Sequence, residues 1–122
     1  MVRDFKELDV WKKAIEIGKD VYRITKSFPR DEIYGMTSQL RRAVVSISSN
    51  IAEGCGRRTS KDFVCFLHNA MGSIREVESQ LIFAEGLGYL DGDELKYLTV
   101  ELDKLGRMLN GFIGHVSRLD IR

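Results

Sequence analysis

Apolar residues recur every three or four positions in four separate stretches of this chain, the period of helices that bury one face. The first stretch runs from about Leu8 to Lys26. At 100° per residue, Asp9, Lys12, Lys13, Glu16, Lys19, Asp20, Arg23 and Lys26 share one arc of roughly 140°. Leu8, Val10, Trp11, Ala14, Ile15, Ile17, Val21, Tyr22 and Ile24 fill an apolar arc of about 200°, wider than the usual stripe of about 100°. Such a helix is either deeply embedded in its own fold or gives part of its arc to another subunit.

Phe28-Pro29 ends this helix, because proline disfavours an α conformation at the residue before it and suits a helix's first turn. The second helix is expected over about 31–54, with Asp31 and Glu32 at its dipole-positive start. Its core stripe is Ile33, Met36, Leu40, Ala43, Val44, Ile47 and Ile51, and Gly54, Gly56 and the polar run Arg57-Arg58-Thr59-Ser60 stop it. The third is expected over about 61–85, capped by Thr59 or Ser60, with Phe63, Phe66, Leu67, Ala70, Ile74, Val77, Leu81 and Ala84 inward. The fourth, over about 92–117, opens on Asp91 and Glu94 at capping-box spacing. Its stripe is Leu95, Leu98, Leu102, Leu105, Met108, Leu109, Phe112, Ile113 and Val116. Short connections make successive helices antiparallel, so the fold class is all-α, one up-down-up-down four-helix bundle over 1–122.

A second, polar stripe runs beside the core stripe of the second helix: Gln39, Arg42, Ser46, Asn50, Glu53 and Arg57. The third helix carries Asp62, Asn69, Ser73, Glu76 and Gln80 on one face. Paired in an antiparallel hairpin, Gln39 with Gln80, Ser46 with Ser73, Asn50 with Asn69 and Arg57 with Asp62 have numbers adding to 119, and Arg42 with Glu76 to 118. The hairpin centre then falls between Thr59 and Ser60, within the polar run that separates the two helices. This predicts a structural polar seam of side-chain hydrogen bonds with Arg42–Glu76 as its ion pair, since an unsatisfied buried polar group costs about 1–3 kcal/mol. The same stripe read functionally is a ligand or partner site.

Composition adds limits. The 122 residues are 43% hydrophobic and 30% charged, enough for a core that needs no disulfide or metal. Lysine and arginine number 19 against 18 acidic residues, so net charge of +1 gives no general pull towards nucleic acid or membrane. The leading residues lack an apolar signal segment and no run of about 18 apolar residues exists, so a cytoplasmic protein without a membrane partner is expected. Cys55 and Cys65 are then reduced thiols.

Catalytic chemistry finds no constellation. Cys65 and His68 are two ligands where a zinc site needs about four. Neither His68 nor His115 follows a glutamate by three positions, the pattern of two-metal carboxylate bundles. No glycine-rich phosphate loop follows a strand. The expectation is therefore no enzyme, no catalytic residues, no metal and no cofactor. Local positive charge remains: Arg41 on the second helix, and Arg57, Arg58 and Lys61 around the turn that follows it. Guanidinium groups beside the N-terminal amides of the third helix suit a phosphate, giving sequence-independent, salt-sensitive binding. The plainer reading is a solvated turn whose charges pair with Glu53 and Asp62. A symmetric oligomer would repeat the turn and multiply a weak contact by avidity.

The run Gln39-Leu40-Arg41-Arg42-Ala43 followed by Ser46-Ile47-Ser48-Ser49-Asn50-Ile51-Ala52-Glu53-Gly54 resembles the hallmark of four-helix-bundle proteins encoded in 23S rRNA intervening sequences. Trp11, Tyr22, Phe28-Pro29 and Tyr34-Gly35 before it, and Phe63, Gly72-Ser73, Glu76, Gln80 and Gly88-Tyr89 after it, extend the resemblance over nearly the whole chain. A related branch is the accessory variability determinant of diversity-generating retroelements. The resemblance implies a bacterial bundle that assembles as a ring, a homopentamer, with nucleic acid as partner and no catalytic residues. The alternative is a protein-protein interaction module with no nucleic-acid contact.

Overall fold

A computed structural model describes residues 4–119 of the chain; the reading of Met1–Arg3 as the start of an unexported chain lies outside them. Among these described residues four α-helices form: α1 (Asp9–Thr25), α2 (Met36–Cys55), α3 (Ser60–Gly86) and α4 (Gly92–Ser117). Each packs on its two neighbours, α1 on α2 and α4, α3 on α2 and α4, with α2–α3 the largest interface. This is an up-and-down four-helix bundle. Its core contains Ile17 and Val21 of α1, Leu40, Val44 and Ile47 of α2, Phe63, Leu67 and Leu81 of α3, and Leu98, Leu102 and Leu105 of α4. Burying each such side chain fully contributes about 1.5–3 kcal/mol.

The wide apolar arc of α1 is absorbed only in part. Val10, Ala14, Ile17 and Val21 are buried, whereas Trp11 and Ile15 are half-buried and Tyr22 is 40% exposed. On the other side of α1, Lys13 donates to the Glu101 carboxylate of α4, which Lys104 also approaches at 3.3 Å. The hydrogen bond from Lys13 is the main reason the Glu101 carboxyl lies below its ordinary range, and it raises Lys13 in turn.

The second helix starts five residues later than its sequence suggests. Arg30–Glu32 forms a separate 3-10 turn, and Gly35 takes a non-helical conformation (φ −115°, ψ −114°). The Glu32 side chain folds over this break and accepts the Met36 N–H at 3.1 Å, satisfying one of the donors at the helix start. Ile33, expected in the core stripe, is consequently 55% exposed, and Tyr34 beside it is 94% exposed. Met108, expected inward on α4, is also exposed, on the flank towards Leu8 and Val10.

Both later helix starts are capped by the residues the pattern names. Thr59 accepts the Asp62 N–H at 3.1 Å. Asp91 and Glu94 form a full capping box, at 2.8 and 3.1 Å. The end of α3 is closed by Gly88, whose φ of +80° suits a residue without a Cβ, with Tyr89 N–H donating back to the Ala84 carbonyl at 3.0 Å. Among the described residues no helix is long and apolar enough to cross a membrane.

Candidate nucleic-acid interface

The α2–α3 turn is tight because Gly54 lets the two helices meet. A Cβ at this position would lie 2.7 Å from Phe66 Cβ, 2.9 Å from Phe63 Cδ1 and 3.3 Å from the Phe63 carbonyl oxygen. The chain then passes through Gly56 and extended Thr59 into α3. Ser60 Oγ donates to the Leu119 carbonyl, so the start of α3 and the end of α4 are tied together at this end of the bundle. Thr59, Ser60, Lys61, Val64, Cys65 and Leu119 line a surface depression of about 560 Å³ here.

The four basic residues singled out from the sequence do not form one cluster. Arg41 lies near the opposite end of α2, about 20 Å along the axis from the turn. Its Nε donates to Thr25 Oγ1 at 2.8 Å and its terminal nitrogen to the Tyr22 carbonyl at 3.3 Å, with the guanidinium 4.7 Å above the Tyr22 ring. Arg41 therefore holds the end of α1, where last-turn carbonyls lack helical partners. Arg57 is at the turn but already engaged: it pairs with Glu53 at 2.9 Å, not with the Asp62 that the summed numbering gives it, and stacks 4.4 Å from the Phe66 ring centre. Arg58 and Lys61 are exposed, and among the described residues neither has a carboxylate within salt-bridge distance.

The polar seam is realised at one crossing. Ser73 Oγ donates to Ser46 Oγ at 2.9 Å, joining the two positions that the summed numbering pairs. Asn50 instead donates within its own helix, to the Ser46 carbonyl at 2.8 Å and to Ser46 Oγ at 3.0 Å. Asn69 is exposed. The expected Arg42–Glu76 ion pair does not form. Both residues, with Gln39, line an open polar depression of about 460 Å³, and Glu76 accepts from Gln80 one turn along α3 at 3.3 Å. Two long side chains facing water gain little from locking together, which is why exposed pairs are weak. The Gln80 amide oxygen is buried without a hydrogen-bond partner.

Cys65 and His68 both face outward on α3, and no group of three or more metal-ligating side chains occurs among the described residues. His115 stacks on Phe112, ring centres 6.3 Å apart. Among the polar contacts that the sequence does not mark, the Tyr89 hydroxyl donates to Glu32 at 2.7 Å, linking the α3–α4 and α1–α2 connections. The bond spans 57 residues, and no local pattern marks it.

A family model described as 23S rRNA-intervening sequence protein matches residues 6–111. Among solved structures, a protein of unknown function from the S23 ribosomal protein family of Bacteroides thetaiotaomicron superposes with a TM-score of 0.76. The two are 20% identical, over 85% of this chain and 97% of that chain, so the likeness speaks for the fold. No curated protein matches significantly.

Proposed function

Since the chain belongs to the 23S rRNA-intervening sequence protein family, we propose that it is a non-enzymatic cytoplasmic scaffold whose copies close into a ring, a homopentamer, and engage RNA or DNA through the α2–α3 turn. The observation that carries the nucleic-acid reading is the pair Arg58 and Lys61. They stand exposed and, among the described residues, without carboxylate partners at the start of α3, where the dipole and first-turn amides also favour anions. Arg57 adds charge but shares it with Glu53, and Arg41 drops out because it is bound to the end of α1. Two free cations per copy hold a phosphate weakly. Repetition around a ring turns them into a continuous anionic-ligand surface, with affinity raised by avidity. The ring reading draws support from α1, whose Trp11, Ile15 and Tyr22 flank stays incompletely covered within one chain.

Fluorescence anisotropy with single-stranded RNA and duplex DNA over a salt series tests the binding. The expected outcome is affinity that falls with salt, each phosphate contact contributing about 0.7–0.9 to the logarithmic slope. The variant Arg58→Ala/Lys61→Ala should lose most of that affinity and flatten the slope. Absence of binding at low salt would leave a protein-protein interaction module.

A further inference from the structure

The connection between α1 and α2 projects two apolar side chains into solvent. Tyr34 is 94% exposed and Ile33 is 55% exposed, well beyond the usual exposure of such residues. They are not on a loose loop. Glu32 beside them is fixed by the Met36 N–H at 3.1 Å and the Tyr89 hydroxyl at 2.7 Å, and the Tyr89 ring packs on buried Phe28 at 5.3 Å. The result is a rigid aromatic knob. Its immediate neighbours are Arg30 and two carboxylates, Asp31 and Glu32, so it is net acidic. Tyrosine on a rigid support is the kind of residue that dominates protein interfaces.

A matching recess lies on the side of the same bundle. Ala14, Gly18 and Val44 floor a groove of about 590 Å³ between α1 and α2, walled by Ile15, Tyr22 and Val45. Three cations, Lys19, Arg23 and Lys26, edge it; Arg23 pairs with Asp20, which leaves Lys19 and Lys26 without an ion-pair partner among the described residues. Knob and groove are thus complementary in shape class and in charge sign. They also share one end of the bundle: Tyr22 and Arg23 occupy the last turn of α1 and Lys26 follows it, where the knob-bearing connection departs. Rotation about an axis parallel to the helices preserves height, so a donor and an acceptor at the same end can meet between neighbouring copies.

We infer that the Ile33–Tyr34 knob of one copy seats in the α1–α2 groove of a second copy, and that this head-to-tail contact builds the ring. The inference rests on the ring reading above and assigns its interface. The contact is heterologous: each copy offers a knob to one neighbour and a groove to the other, the arrangement that closes into rings. One knob buries little area, so a single contact holds only at high micromolar concentration, and the ring gains its stability from every copy holding two. Lys26 and Lys19 at the rim meet the Asp31 and Glu32 side of the incoming knob, which makes the assembly sensitive to salt.

Light scattering on the full chain and three variants tests this. The wild type should show several times the 13.9 kDa of one chain. Tyr34→Ala, which removes the knob, and Val45→Glu, which places a carboxylate in the groove, should each drop to the mass of one chain with unchanged helical circular dichroism. Mixing these two variants at high micromolar concentration should give a 1:1 complex, because one intact knob and one intact groove remain. Phe83→Ala, at an exposed aromatic outside the knob, should leave the assembly intact. A wild-type monomer would overturn the ring reading and this interface together. An assembled wild type with Tyr34→Ala still assembled, or with no complex on mixing, would overturn the interface alone.

Discussion

The two ends of the bundle solve the same problem, joining antiparallel helices through a few residues, by different means. At the α2–α3 turn the solution is local. Gly54 allows contact with Phe63 and Phe66, Thr59 caps the helix that follows, and Arg57 lies over Phe66. At the opposite end the α1–α2 connection cannot close by neighbours alone. Glu32 reaches across to Met36 N–H and takes the hydroxyl of Tyr89, from a connection far along the chain. The first end is packed tight and basic; the second is wired by hydrogen bonds and presents an acidic, aromatic projection. Close packing makes an end intolerant of added atoms, whereas a wired end is sensitive to lost polar groups and to pH.

The sharpest way to break the packed end is Gly54→Ala. Helix propensity alone would favour alanine by about 1 kcal/mol. The new methyl would have to displace Phe66 and Phe63 from 2.7 and 2.9 Å, and overpacking of this kind typically costs about 1–3 kcal/mol. A net loss of up to about 2 kcal/mol in urea unfolding is expected. Gly72→Ala on the exposed face of α3, where a Cβ meets nothing within 4 Å, should gain up to about 1 kcal/mol. Opposite signs for one substitution at two helical glycines would establish close approach as the cause; a gain at both would remove it.

A smaller effect is expected from Gly88→Ala at the wired end. Here nothing crowds a Cβ, but φ of +80° is disfavoured for any residue that has one, by about 1–2 kcal/mol. The turn also sets Tyr89 in place, so the substitution should loosen the knob as well as lower stability. Hydrogen exchange at Met36 N–H, which Glu32 accepts, reads that second consequence. Lost stability with unchanged protection at Met36 would separate the α3 cap from the α1–α2 connection.

The sequence makes the packed end readable and the wired end only partly so. Thr59, Asp91 and Glu94 act through residues within four positions, whereas Gly54 reads only as a helix stop and in fact lies inside α2 against Phe63 and Phe66 of α3. The late start of α2 was hidden because Ile33 fits the helical period of Met36 and Leu40, and periodicity does not register a break at Gly35. The polar seam was overread for a related reason. Spacing shows which residues share a face, but whether Arg42 and Glu76 pair depends on their exposure to water, which spacing does not measure. Arg41 looked like a free cation for the same reason, although its partners Thr25 and Tyr22 lie on another helix.

The smallest expected effect is also the one that separates charge from packing at the wired end. The Glu32 carboxyl is held below its ordinary value first by the Met36 amide and then by the Tyr89 hydroxyl. Its charged form is favoured by the fold, so its contribution is fully present above the unfolded value of about 4.3 and is lost as pH falls through the depressed folded value. Glu32→Gln keeps the shape and an acceptor oxygen but removes the titration. Measured in a Tyr34→Ala background, so that assembly does not enter, the variant should show a slightly lower Tm at neutral pH. The gap from its Tyr34→Ala parent should close below about pH 4 as Glu32 in that parent takes up a proton. The Tyr89 hydroxyl, raised by the same carboxylate, stays protonated throughout this range and keeps donating. A gap that stays constant into strong acid would mean that the connection is held by neutral hydrogen bonding and packing, and that the charge on Glu32 serves only the face it shows to a partner.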